Sequence, residues 1–373
     1  MGKYYLNLII IILAIVSFVL TAFLGFHYFI SQPKEKVYVA VEGEGKIVAF
    51  DPKTEKILAI IDLSAKYNDS GIFYAPHNVQ VSPDMKMIWV TANARKRQDH
   101  SFRFIFLAGA HGNEEKAEEP DEVIVIDPQK DKIIKRIAIA TGVHLAHVDL
   151  TPDNEFAYVT AQKEGAIYKI NAKTFEIEKR ILLAKESEPH GIRIASDGKT
   201  AYIAMLKGKS LGILELKADT FSEVLLGGAA VQTGVTSDTK IAMASLYDTK
   251  QLAIYHKETK QTKFVQLPSS AKGPMQMYPT PDSKFVYLAD QGYYFNQPEN
   301  NLVYKIDLEK LKVVKEIKAG YGPHGVAVSS DGLRVYVTNL LSNDVSIIDT
   351  ATDKEISRIK IGKEPNGISV WVR

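Results

Sequence analysis

A unit of about forty residues that returns along most of the chain restricts the fold more tightly than any other feature. Its clearest copy is Gly322–Ser357, GPHGVAVSSDGLRVYVTNLLSNDVSIIDTATDKEIS. Gly325–Ser329 alternates apolar and small residues, and Ser330-Asp331-Gly332 is a tight-turn tripeptide. Val335–Asn339 reads as a second strand and Val345–Asp349 as a third; Ile356–Ile361 is a fourth after the polar turn Thr350–Lys354. Four short antiparallel strands make one propeller blade, and a lone blade leaves both faces of its sheet in water. Stacking against further copies buries them.

The copies are present. A turn aspartate marks each one: Asp84, Asp153, Asp197, Asp238, Asp282 and Asp331. The second strand follows each time, as MIWVTAN, FAYVTAQ, TAYIAML, IAMASLY, FVYLADQ and RVYVTNL, and a third strand comes after it. Lys36–Leu63 supplies strands two to four of a blade that lacks its first strand, and Glu364–Arg373 is a first strand with no blade to follow. The two ends complement each other, which closes the ring and removes its last unpaired sheet edges. Six complete repeats and one composite predict an all-β, seven-bladed β-propeller. A two-sheet sandwich would not demand the fixed period.

Ahead of the repeats, Tyr4–Phe29 carries no acidic or basic residue besides His27, and Leu8–Leu24 is almost continuously apolar. That is long enough for one transmembrane helix. Lys3 before it and Ser31–Lys36 after it match a signal or signal anchor, and a small-residue cleavage site would fall inside the apolar run, at Ala22 or Gly25. The expectation is an uncleaved anchor or signal segment over residues 1–31, membrane contact through residues 4–30, and a propeller over residues 32–373. Long downstream domains translocate largely regardless of a few flanking lysines, so the propeller is expected on the periplasmic or extracellular side of the cell membrane.

The net charge of +2 shows no nucleic-acid footprint. The absence of cysteine excludes disulfides, thiolate metal sites, iron–sulfur clusters and cysteine nucleophiles. HExxH and Walker motifs are missing as well.

Tyr336-Val337-Thr338-Asn339 spells the signature of the YVTN-repeat propellers, with Pro-x-Gly, SPDG-like and IDT-like motifs around it in the same order. From Lys36 to Arg373 the chain resembles that seven-bladed family, whose members include surface proteins, binding proteins and relatives of redox enzymes. The resemblance implies the fold and leaves the chemistry to the site.

The histidines point to such a site. His77, His190 and His324 each lie seven residues before their turn aspartate, and His147 lies six before Asp153, with His144 just upstream. The matching place in the fifth blade is Met275, followed by Gln276. In a propeller the first strands line the axial channel, so these side chains should meet at one mouth, on the face that also carries the loops between second and third strands. Two of those loops are unusual: the insert 95–120, which runs from basic through apolar to acidic, and the aromatic Gln291–Asn300 with Tyr293, Tyr294 and Phe295. Loops of such length are commonly functional.

Imidazoles with an optional thioether suit copper, and imidazoles alone also suit zinc or iron. No carboxylate runs in phase with the histidines, which argues against calcium or magnesium. The layout is similar to the propeller of nitrous-oxide reductase, with histidines around a copper cluster, and to the haem-binding propeller of haem-type nitrite reductase. Neither the cysteine-ligated domain of the first nor the cytochrome of the second has a counterpart here. The leading expectation is a metal or cofactor site, copper before zinc, iron or haem, with His77, His147, His190 and His324 as ligands and Met275 and His144 auxiliary, serving a redox or metal-handling pathway. An alternative is a non-catalytic scaffold holding a protein or glycan with the loops at 95–120 and 291–300. The bland possibility is that Pro-His-Gly is repeat grammar, its histidines bonding only to the next blade. A histidine-based hydrolase or lyase would need an acid partner, and none stands out.

Overall fold

The structure, a computed structural model, describes residues 34–64, 66, 72–96, 117–184, 186–294 and 297–373. The expected transmembrane segment and most of the insert 95–120 lie outside the described residues. Among the described residues no helix is long and apolar enough to cross a membrane.

Seven four-stranded antiparallel sheets are arranged as the repeat requires. The closing sheet joins both ends of the chain: Pro365–Val372 is its innermost strand and pairs with Glu35–Val41, followed by Lys46–Phe50 and Ile57–Asp62. Val37 stands opposite Val370 on one side and Phe50 on the other. The remaining six blades follow in chain order from Ile72, and we number them first to sixth. Their innermost strands are Ile72–Val81, Leu145–Leu150, Pro189–Ile194, Ala230–Val235, Pro274–Pro279 and Pro323–Val328.

Each inner sheet is buried on both faces because its two faces meet different neighbours. Val37, Val39 and Val41 pack with Tyr336, Val345 and Ile347 of the sixth blade, while Tyr38 and Ala40 pack with Val79, Val90 and Ile124 of the first. Alternate residues of a strand point to opposite faces, so one apolar strand serves two interfaces. Outer strands, such as Ile177–Leu182, are mostly exposed.

The turn aspartates act alike. Asp84, Asp153, Asp238, Asp282 and Asp331 each accept a bond from the Ser or Thr two residues earlier, at 2.5–2.8 Å. Each also accepts the backbone N–H two residues on, and Asp197 accepts that of Lys199. An ionised carboxylate bonded this way closes the tight turn locally.

The ladder of the innermost strand slips once in all seven blades, in six of them at the strand's start and in the first at His77. Such a bulge re-aims side chains. The residues in it are His77, Ala146-His147, His190-Gly191, Val231-Gln232, Met275-Gln276, His324-Gly325 and Asn366-Gly367.

A threonine of the second strand holds several of these bulges and ties each to the next blade. Thr91 Oγ1 accepts from Asn78 N–H at 3.0 Å and donates to the Ala146 carbonyl at 2.8 Å. Thr160 accepts from His147 N–H at 3.0 Å and donates to the His190 carbonyl at 2.6 Å. Thr338, the third residue of the YVTN tetrad, bonds Gly325 N–H and the Asn366 carbonyl, both at 2.7 Å. The inner strands come so close there that a Cβ on Gly325 would stand 2.3 Å from the Asn366 carbonyl oxygen. Glycine at 325 is therefore a steric requirement.

A candidate metal centre at the channel mouth

The bulges bring three imidazoles together. Nitrogens of His77, His147 and His190, all buried, lie within 4.8 Å of one another. Ring centroids are 5.7 Å apart for His77 and His147, 5.4 Å for His77 and His190, and 5.1 Å for His147 and His190. These three come from consecutive blades and form one arc of the mouth. The spacing of six rather than seven before Asp153 is a real offset: His147 occupies the second bulge position, alongside Asn78 and Gln232, and the bulge turns both positions inward.

His147 and His190 are held neutral. His190 Nδ1 lies 2.8 Å from the Val231 carbonyl, which only accepts, so Nδ1 carries the proton and Nε2 the lone pair. Burial, then repulsion from His77, pushes the His190 pKa down to about 3. Burial, then the neighbouring His190 and His77, holds His147 well below the usual histidine range. Both are neutral at physiological pH. An ion bonded at about 2.0–2.1 Å by imidazole nitrogens needs those nitrogens roughly 3.4 Å apart. A 4.8 Å limit therefore leaves at most roughly 1.4 Å of approach between any two nitrogens to close the set. The three imidazoles could hold a metal ion.

An acid that the sequence reading missed stands behind His77. Glu42, at the end of the closing blade's second strand, places Oε2 3.5 Å from His77 Nδ1. Asn366 Nδ2 lies 3.2 Å from the same nitrogen and 2.5 Å from the same carboxylate oxygen. Arg95 Nη2 donates to the other oxygen at 2.6 Å. Burial alone would raise the Glu42 pKa, but Arg95, His77 and Asn366 outweigh it and hold the carboxyl ionised, well below the usual range. No carboxylate runs in phase with the histidines, and Glu42 reaches His77 from outside that phase. Glu42 sits beyond the first-strand phase because it comes from the preceding blade.

The same relation recurs on the other side of the ring. Gln291 occupies the position on the fifth blade's second strand that Glu42 holds on the closing blade, and its Oε1 accepts from His324 Nδ1 at 2.7 Å. Burial, then His77, pushes the His324 pKa down to about 3. The buried His324 Nε2 has no partner among the described residues. His324 is not one of the three clustered imidazoles: the Tyr294 ring covers it edge-on, with centroids 6.3 Å apart. Tyr294 is only 6% exposed, and Tyr247 Oη donates to its carbonyl at 2.5 Å. The aromatic loop thus folds inward as a cover; Phe295 lies outside the described residues.

Met275 is buried among Leu206, Val231, Tyr247 and Tyr294, next to the mouth but within an apolar cluster. His144 packs edge-on against His77 at 5.3 Å and is positioned by its N–H, which donates to Asp121 Oδ2 at 2.9 Å.

A family model described as a YNCE-like beta-propeller matches residues 120–372. The chain belongs to that family. The uncharacterized protein YncE of Salmonella typhi is 29% identical over 84 residues, a match that spans 22% of this chain and 22% of that protein. Among solved structures, a functionally unknown protein from Desulfotomaculum acetoxidans superimposes with a TM-score of 0.67 and 15% identity over 90% of this chain and 98% of its own. The dihydro-heme d1 dehydrogenase NirN, solved in complex with DHE, gives 0.57 and 13% over 88% of this chain and 64% of its own. At these identities the structural likenesses share the family's fold and carry no chemistry over.

Proposed function

We propose that this protein binds a late first-row transition-metal ion through His77, His147 and His190, and that it serves redox or metal handling outside the cytoplasm from a membrane anchor at residues 4–30. One observation carries the reading: three buried imidazoles from consecutive blades converge within 4.8 Å. The clamped Nδ1 of His190 and the ionised Glu42 behind His77 support it, since outer partners of this type orient ligating histidines and raise their basicity. Copper(II) is favoured over zinc because affinity for an all-nitrogen set peaks at copper. The buried Tyr294 suits a cover over the centre better than an exposed docking residue for a protein or glycan.

The test is metal analysis with absorption and electron paramagnetic resonance spectra on the full-length chain purified without a histidine tag. Stoichiometric copper that is lost in His147→Ala/His190→Ala and kept in His324→Ala supports the assignment. A protein that stays metal-free after incubation with copper(II), zinc or iron(II) sinks it.

A further inference from the structure

The innermost strands have a second end, and it is lined by a different chemistry. Three residues beyond His77, roughly 10 Å along the strand, stands Gln80. Its counterparts around the ring are Asp149, Arg193, Gly234, Tyr278, Ala327 and Ser369, each two residues past the second bulge position. Asp149 and Ser369 accept backbone N–H groups of the next blade, Ile194 at 2.8 Å and Val81 at 3.1 Å, and so belong to the structure. Arg193 and Tyr278 do not. The guanidinium makes one hydrogen bond, from Nη1 to the Ile192 carbonyl at 3.0 Å, and no ion pair within 4.0 Å among the described residues. The Tyr278 hydroxyl has no bonded partner among them either.

Both border a cavity of about 260 Å³ at this lower mouth, which Gly234 also lines. Its remaining walls include Leu150, Val235 and Met277. A half-buried guanidinium with spare donors, beside a neutral phenol and apolar side chains, is a recognition site for a planar anion. Among the described residues Arg193 is the only cation lining the cavity and the Asp149 carboxyl lies beside it, so a monoanion is favoured over a dianion.

We propose that the lower mouth binds a small organic monocarboxylate, its head paired with Arg193 and Tyr278 and its apolar body against Leu150, Val235 and Met277. This assignment is independent of the metal reading, which concerns the opposite end of the channel.

The experiment is ¹⁹F NMR titration of the full-length chain with 4-fluorobenzoate, repeated with hexanoate as competitor. Dissociation constants of roughly millimolar are expected for ligands this small. Arg193→Gln should weaken binding about 10-fold or more, Arg193→Lys less, and Tyr278→Phe a few-fold. Inorganic phosphate should not displace the probe, and His147→Ala/His190→Ala should leave its binding unchanged. If Arg193→Gln does not fold, Arg193→Lys decides, because loss of the planar fork alone must weaken binding. Absence of binding at roughly tens of millimolar, equal binding by the Arg193 variants, or displacement by phosphate at equal concentration overturns the proposal.

Discussion

The two mouths of the channel are built on the same seven strands and differ in what three residues of travel along each strand brings inward. At the upper mouth the ladder slips and the bulges converge, so His77, His147 and His190 are forced within 4.8 Å and lose solvent. At the lower mouth the ladder has resumed, and Arg193 and Tyr278 face a cavity of about 260 Å³. Burial acts on both ends with opposite sign. It strips the proton from His147 and His190 above and raises the carboxyl of Asp149 below, where burial outweighs the attraction of Arg193. One repeat therefore presents the neutral imidazoles of His147 and His190 at one end and the Arg193 guanidinium at the other.

The largest effect that would break this contrast is loss of ligands. His147→Ala/His190→Ala should lower copper(II) affinity by at least about 100-fold, measured by competition with a chelator, without changing carboxylate binding below. If both sites weaken together, the two ends are coupled and the division fails.

The pH dependence of unfolding sharpens it next. His147, His190 and His324 titrate lower in the folded state than in the unfolded chain, so their contribution is complete above about pH 6.5 and is lost as pH falls toward 3. Each group contributes a slope of up to about 1.4 kcal/mol per pH unit. Asp149 has the opposite sign: its raised folded pKa stabilises the protein as pH falls through that value toward the unfolded one. Urea midpoints between pH 7 and 4 should fall in the parent and fall less steeply in His147→Ala. A parallel slope in that variant contradicts the assignment of neutral, buried imidazoles.

Smaller is the threonine clasp. Thr160→Val removes the acceptor for His147 N–H and the donor to the His190 carbonyl. We expect a loss of about 2 kcal/mol in urea denaturation, together with weaker metal binding, since both bulges carry ligands.

The smallest effect belongs to Met275. Packed with Leu206, Val231, Tyr247 and Tyr294, it should tolerate Met275→Leu at a cost below about 1.5 kcal/mol, with an unchanged copper spectrum. A spectral shift would return the thioether to the ligand set.

The repeat was legible because its signals are local. A turn aspartate bonds to a hydroxyl two residues away, and the alternation of a strand is visible in six letters. Even the YVTN tetrad has a local spelling, although the work of its threonine, bridging Gly325 to Asn366, is not local. The histidines were legible as a ring through their shared phase, and His77, His147 and His190 do meet. Their true set was not legible, because the phase of one strand says nothing of a neighbouring blade. Glu42 and Gln291 reach Nδ1 of His77 and His324 from the second strands of preceding blades, and Tyr294 turns inward because Tyr247 binds its carbonyl. Nor was Arg193 legible, because the cavity it lines is shared with Gly234 and Tyr278 of neighbouring blades.

By itself the chain determined seven blades, the closure of the ring by its two ends, and a mouth rich in imidazole, because strand period and turn chemistry act over a few residues. Only the tertiary structure decided which nitrogens converge, which are clamped and uncharged, and which end of the channel keeps a charge. Those properties depend on distances between blades and on the removal of water, and both exist only once the ring has closed.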